Sequence, residues 1–149
     1  MKIFALFTWI ATASLGLYLF AIWLIEYDRD FQRRLATRLP VPVVSTHALL
    51  AVTGLTLWVS NFILQQARLV WAALAILGAV AVLGFTMAYR WLRVYRSTPD
   101  PVMATAGAPE ARTVIPAERN FPVSVVIWHG VFAVTTVVLV ALTALGVGR

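Results

Sequence analysis

Four long apolar runs restrict this chain more than any other feature. They are Ile3–Ile25, Val43–Leu64, Leu69–Tyr89 and Val123–Val147, and none contains Asp, Glu, Lys or Arg. At a rise of about 1.5 Å per residue, each can cross roughly 30 Å of hydrocarbon. Backbone N–H and C=O groups in lipid have no water to bond with, and a helix satisfies them within one segment. A soluble alternative fails on surface area. Of the 149 residues 61% are apolar, with mean hydropathy +0.85. A soluble domain is nearer about half apolar, and a chain this short has little interior in which to hide the surplus. The expected class is all-α: a single integral membrane domain forming a four-helix bundle, with the lipid bilayer as its first partner.

The first run follows Lys2 and contains an A-x-A at Ala11 and Ala13, as a signal peptide does, but continues apolar to Ile25. That exceeds a signal core, so it reads as a transmembrane helix that stays. The connectors differ in kind. "EYDRDFQRRLATRLPVP" is charged and ends in Pro40 and Pro42, "QQAR" is a tight turn, and the segment from Arg90 to Asn120 is long, polar and rich in Pro and Ala. Its middle, about residues 97–117, holds few bulky apolar residues and is expected to be mobile.

Arginine counts set the direction. Arg29, Arg33, Arg34, Arg38, Arg90, Arg93, Arg96, Arg112 and Arg119 fall on one side, and Lys2, Arg68 and Arg149 on the other. The arginine-rich side should be cytoplasmic, which places both termini outside, in a bacterial cytoplasmic membrane. The net charge of +6 does not point to nucleic acid, because the basic residues flank spans rather than line a water-facing groove with aromatics. With no cysteine, a disulfide framework, a cysteine-bound iron–sulfur cluster, a c-type haem and a thiol nucleophile are excluded.

Within this frame the chain writes one segment twice. Pro40–Trp58 and Pro122–Val140 align without gaps and agree at nine of nineteen positions, including Pro40/Pro122, His47/His129, Ala51/Ala133 and Thr53/Thr135. These are the only two histidines. Helices one and three match more weakly. The pattern suggests two parallel two-helix repeats. Each histidine lies seven residues after its proline, roughly 10 Å along a helix. Both imidazoles are therefore expected at one depth in the inner leaflet, facing each other across the bundle.

Two imidazoles at one depth on separate helices suit the two faces of a haem b iron, so His47 and His129 are the candidate metal ligands. Ala51, Ala133, Gly54 and Thr136 share the histidine face and are small enough to leave room for a macrocycle edge. Small residues also serve plain helix contact in lipid. Arg90, at the end of helix three, can meet haem propionates or anchor the helix at the interface. A zinc or copper site is the weaker metal reading, since no Cys, Asp or Glu in the spans completes a shell. A purely structural role, each histidine satisfying a hydrogen bond in a packed interface, stands beside the haem reading. A haem sensor or carrier is a third reading.

The spans hold no buried carboxylate or lysine and no Gly/Pro break at mid-span, features that a proton-coupled or ion-driven transporter normally needs. No nucleophile–base or acid–base set is visible, so an electron-transfer protein or subunit is expected rather than a stand-alone enzyme. Its electron partner would be a quinone or another redox protein. A histidine pair shared across a homo-oligomer, or membership of a larger complex as an accessory subunit or scaffold, stays open.

The segments "PVPVVSTHALLAVTGL" and "FPVSVVIWHGVFAVTTVVLVALTALG" resemble those of small four-helix membrane proteins of high-GC bacteria, a likeness that implies the fold and no activity. One histidine on each of two helices in a four-helix bundle also resembles the cytochrome b membrane-anchor subunits of respiratory dehydrogenases. That resemblance implies axial-ligand roles for His47 and His129.

Overall fold

The computed structural model describes residues 1–26, 39–96 and 117–147. Four helices carry it: α1 (Lys2–Ile25), α2 (Val41–Leu64), α3 (Ala67–Arg96) and α4 (Val123–Ala144). A single 3-10 turn, Ala117–Asn120, precedes α4. Each helix is long and apolar enough to span a membrane, and the chain is a multi-pass membrane protein. Arg29, Arg33, Arg34, Arg38, Arg112 and Arg149, and all of the 97–117 stretch except Ala117, lie outside the described residues. Ala117 itself is buried.

Prolines start α2 and α4 in the same way. Pro40 and Pro122 are the N-caps, with φ/ψ of −64°/131° and −62°/123°. The Pro40 carbonyl accepts from the N–H groups of Val43 and Val44, and the Pro122 carbonyl from those of Val125 and Val126. Proline fixes φ near the value a helix needs and withholds no donor the helix requires there. The shared start puts the two histidines in the same helical register.

Between α2 and α3 the chain turns on two glutamines. Gln65 takes the left-handed conformation (φ 48°, ψ 39°), which ends α2 and reverses the chain. Arg68 Nε donates to Gln66 Oε1 at 2.6 Å. The third helix runs past the apolar limit at Tyr89 to Arg96. Apolarity ends where lipid ends, but hydrogen bonding need not. Cations in the last turn suit the negative end of a helix dipole, and Arg93 lies over the Tyr89 ring at 5.9 Å. The fourth helix stops at Ala144, short of Val147; Leu145–Val147 form a turn in which Gly146 has φ 80°.

The helices pair α1 with α4 and α2 with α3 along their lengths; α3 also meets α4, and α1 touches α2 more sparingly. The diagonals are open: no Cα of α2 comes within 8 Å of a Cα of α4, and none of α1 within 8 Å of α3. The buried apolar core falls into two pieces. One, near the α2–α3 turn, centres on Ala5, Trp9, Trp58, Ala73, Leu77 and Val140. The other, near the two long connectors, centres on Trp23, Val44, Trp91, Ala117 and Phe121. We call these the turn end and the loop end. The histidine layer lies between them.

Candidate functional site

His47 on α2 and His129 on α4 meet across the open diagonal, their ring centroids 6.4 Å apart and their planes at 53°. A direct hydrogen bond between the rings, with N···N about 2.9 Å, would bring the centroids to about 5 Å. At 6.4 Å the rings are not hydrogen-bonded to one another and stand within the ordinary contact range of a tilted ring pair.

Each ring is held from behind by the neighbouring helix. His47 Nδ1 lies 3.1 Å from Val80 O of α3, and His129 Nδ1 lies 3.0 Å from Thr12 O of α1. A carbonyl only accepts, so Nδ1 carries the proton and donates in both. The tautomer follows: Nε2 of each neutral ring keeps its lone pair. Among the described residues neither Nε2 makes a hydrogen bond.

Both accepting carbonyls belong to regular helix and already receive an N–H from four residues on. For a ring to reach such a carbonyl, the side chain one turn later must be absent. Gly16 lies four residues after Thr12, and Gly84 four after Val80. A Cβ at Gly16 would stand 2.8 Å from His129 Cε1, and one at Gly84 would stand 3.3 Å from His47 Cε1. The histidines fill the space these two glycines leave. Neither glycine stood out in the sequence, because each is one small residue in an apolar span. The usable signal was their spacing from Trp23 and Trp91, seven residues on in each case.

The other sequence candidates fall in different places. Thr136 is buried and turns its hydroxyl to Phe132 O at 2.8 Å and Thr8 Oγ1 at 3.0 Å, tying α4 to α1. At Gly54 the space left by the missing side chain is taken by Trp9 and Ile76, whose atoms would stand 3.1 and 3.3 Å from a Cβ. Ala51 and Ala133 are half-buried, one turn from the histidines, and Arg90 is exposed near the loop end of α3. Trp91, on the glycine face of α3 and two turns beyond Gly84, buries an Nε1 with no hydrogen-bond partner among the described residues. Glu118, in the 3-10 turn, is fully buried. Its position in a polar connector gave no hint of that, since the burial comes from the packing of the turn against α1 and α3.

The chain matches no protein-family model, no curated protein and no solved structure. The two likenesses of its histidine helices therefore rest on those helices alone.

Proposed function

We propose that the protein is a b-type cytochrome, with one haem b held between His47 and His129 and electrons carried near the loop-end leaflet. The supporting observation is the 6.4 Å between the ring centroids. An imidazole nitrogen sits about 2.0–2.1 Å from a bound first-row metal, and its ring centroid about 1.1 Å further back, so one metal between two rings sets the centroids about 6.3 Å apart. Among the described residues no three metal-ligating side chains come together. A metal that brings its own equatorial ligands suits a two-imidazole donor set better than a bare ion does.

Bound there, a haem supplies a one-electron ferric–ferrous couple. The chain's own residues do the rest. His47 and His129 would ligate through Nε2. The Val80 and Thr12 carbonyls fix the tautomer and orientation and make Nε2 more basic, as supporting partners of metal-bound histidines do. Gly16 and Gly84 admit the rings. Trp91 Nε1 is a buried donor on the loop-end side of the pair, available to a propionate. Arg90, six residues beyond Gly84 and so roughly 9 Å along the helix, supplies a cation at that rim. Ala51 and Ala133 leave room beside the rings. The loop end is cytoplasmic by its arginines, in a bacterial cytoplasmic membrane, and the electron partner is a quinone or a redox protein.

We also infer that the chain arose by duplication of a helix pair. A shift of 82 residues aligns His47 with His129, and a shift of 68 aligns Gly16 with Gly84. The second shift also pairs Ala5/Ala73, Leu6/Leu74, Ala11/Ala79, Ala13/Ala81, Leu15/Leu83, Trp23/Trp91 and Leu24/Leu92. It pairs the two carbonyls that hold the histidines as well, which supports common descent over chance likeness.

A second reading has its own observation. Each ring is already hydrogen-bonded through Nδ1, so the pair can persist as packing in an accessory or scaffold subunit. A reduced-minus-oxidised absorption spectrum of the purified protein separates the two. A sharp b-type α-band, lost in His47→Ala and in His129→Ala, is expected. A flat spectrum after expression with ample haem, or an unchanged low-spin spectrum in either variant, would overturn the cytochrome reading.

A further inference from the structure

The outer face of α3 changes character along its length. Gly78, Val82, Phe85, Tyr89, Arg93 and Arg96 are all exposed. At about 3.6 residues per turn they share roughly 80° of arc. Leu77, Val80, Trp91 and Val94 are buried on the opposite side, so packing against the other helices fixes where this face looks.

From Gly78 to Tyr89 the face is apolar and roughly 16 Å long, about half the hydrocarbon thickness. A Cβ at Gly78 would meet nothing within 4 Å, so the strip dips there, near the middle of the bilayer. Beyond Tyr89 the helix continues seven residues to Arg96. That is roughly 10 Å, enough to cross a head-group layer roughly 5–8 Å deep. Arg93 stands roughly 6 Å past Tyr89, at the depth of lipid phosphates. Its guanidinium lies over the Tyr89 ring at 5.9 Å, and Arg96 is its neighbour one turn on. No Asp or Glu occurs in α3, and among the described residues neither guanidinium makes a salt bridge.

Two cations at phosphate depth above an apolar strip suit one class of molecule, an anion that carries acyl chains. A soluble anion gains nothing from the strip. A zwitterionic lipid brings its own cation against the guanidiniums. We propose that this face holds an anionic phospholipid of the loop-end leaflet, its phosphate between Arg93 and Arg96 and one acyl chain along Phe85, Val82 and Gly78. Guanidinium forks match phosphate oxygens, and cation clusters at a membrane surface select anionic lipids. The Tyr89 ring beneath Arg93 holds the side chain in place, which lowers the entropy lost on binding. The site owes nothing to the histidine pair: Val80, which holds His47, is on the buried side of the helix.

The test is native mass spectrometry of the full-length protein in detergent, titrated with dioleoylphosphatidylglycerol or dioleoylphosphatidylcholine. One phosphatidylglycerol should bind saturably, and about fivefold or more tighter than phosphatidylcholine. Arg93→Gln and Arg96→Gln should each weaken it about fivefold, the worth of one arginine at an anionic surface. Gly78→Phe fills the dip without touching a charge and should lower the bound fraction by about half. Arg68→Gln, at the turn end, removes the same charge elsewhere and should leave binding unchanged. Elution of each variant as the wild type on size exclusion verifies its fold. Inorganic phosphate at millimolar concentration should not displace the lipid. Equal retention of the two lipids overturns the proposal, as does wild-type retention in the Arg93→Gln/Arg96→Gln double variant. Displacement by inorganic phosphate overturns it too, and marks the cations as a site for free anions. Because the readout is lipid mass, it is taken equally on haem-free protein: retention by His47→Ala upholds the lipid site whatever becomes of the cytochrome reading.

Discussion

Replacing Gly16 by alanine tests the docking of His129. The new Cβ would stand 2.8 Å from His129 Cε1 and 3.3 Å from Nδ1. Non-bonded carbons rest about 3.5–4.0 Å apart, so the ring must retreat by about 0.7–1.2 Å. Its bond to Thr12 O is 3.0 Å long, and a retreat of that size carries it beyond about 3.5 Å, where little hydrogen bonding remains. The ring then loses both its tautomer control and its orientation. Loss of such a supporting partner typically lowers metal affinity about 10–100-fold. Gly84→Ala is the graded control. There the Cβ would lie 3.3 Å from His47 Cε1 and 3.8 Å from Nδ1, so a retreat of about 0.2–0.7 Å suffices and the loss should be about threefold. Gly78→Ala, with nothing within 4 Å of its Cβ, should change nothing. The assay is haem content from the reduced pyridine spectrum, together with the rate of haem loss to an apoglobin acceptor. Thermal unfolding, run in parallel, reports the packing effect independently of haem. The expected order of damage is Gly16→Ala, then Gly84→Ala, then Gly78→Ala. Wild-type haem content and loss rate in Gly16→Ala, or a reversed order of the first two, would refute the docking argument.

Three further outcomes follow from the packing. Gly54→Ala drives a methyl against Trp9 Cζ2 at 3.1 Å and Ile76 Cγ2 at 3.3 Å, and should destabilise the fold by about 1–3 kcal/mol; Gly130→Ala, whose methyl meets nothing, should stabilise by about 0.5–1 kcal/mol in the same unfolding titration, as Ala does over Gly inside a helix. Thr136→Val removes the 3.0 Å bond to Thr8 Oγ1 and should weaken the α1–α4 pairing by about 0.6–1.7 kcal/mol, measured by unfolding in mixed detergent. Trp91→Phe keeps an aromatic ring beside Tyr95, which stacks on Trp91 at 5.4 Å, but deletes the buried N–H together with the smaller ring of the indole; haem loss should quicken about fivefold or more, and the void should lower the thermal stability of haem-free protein as well.

Much of the architecture was legible without coordinates, because hydrocarbon thickness and backbone satisfaction act on one segment at a time. Four runs without a charge gave four helices, and Pro40 and Pro122 gave two helix starts. The common depth of His47 and His129 followed from counting seven residues from each proline; that they meet came from the helix arrangement. The third helix continues seven residues beyond its apolar run, because the loss of apolarity after Tyr89 does not interrupt the hydrogen-bond ladder. Asn61 reads as an exposed polar residue near a helix end, and Glu118 as part of a loop. Both are buried, and in each case the burial is supplied by other helices.

The sequence by itself determined that this is a multi-pass, all-α membrane protein with two histidines in one register. Those are properties of single segments in a solvent of fixed thickness. Only the tertiary structure decided which helices are neighbours and which are diagonal, and therefore that each histidine rests on a helix other than its own. It turned Gly16 and Gly84 from two small residues in apolar runs into the seats of His129 and His47. A glycine's role depends on what occupies the space its side chain leaves, and here that occupant arrives from residues 113 and 37 positions away in the chain.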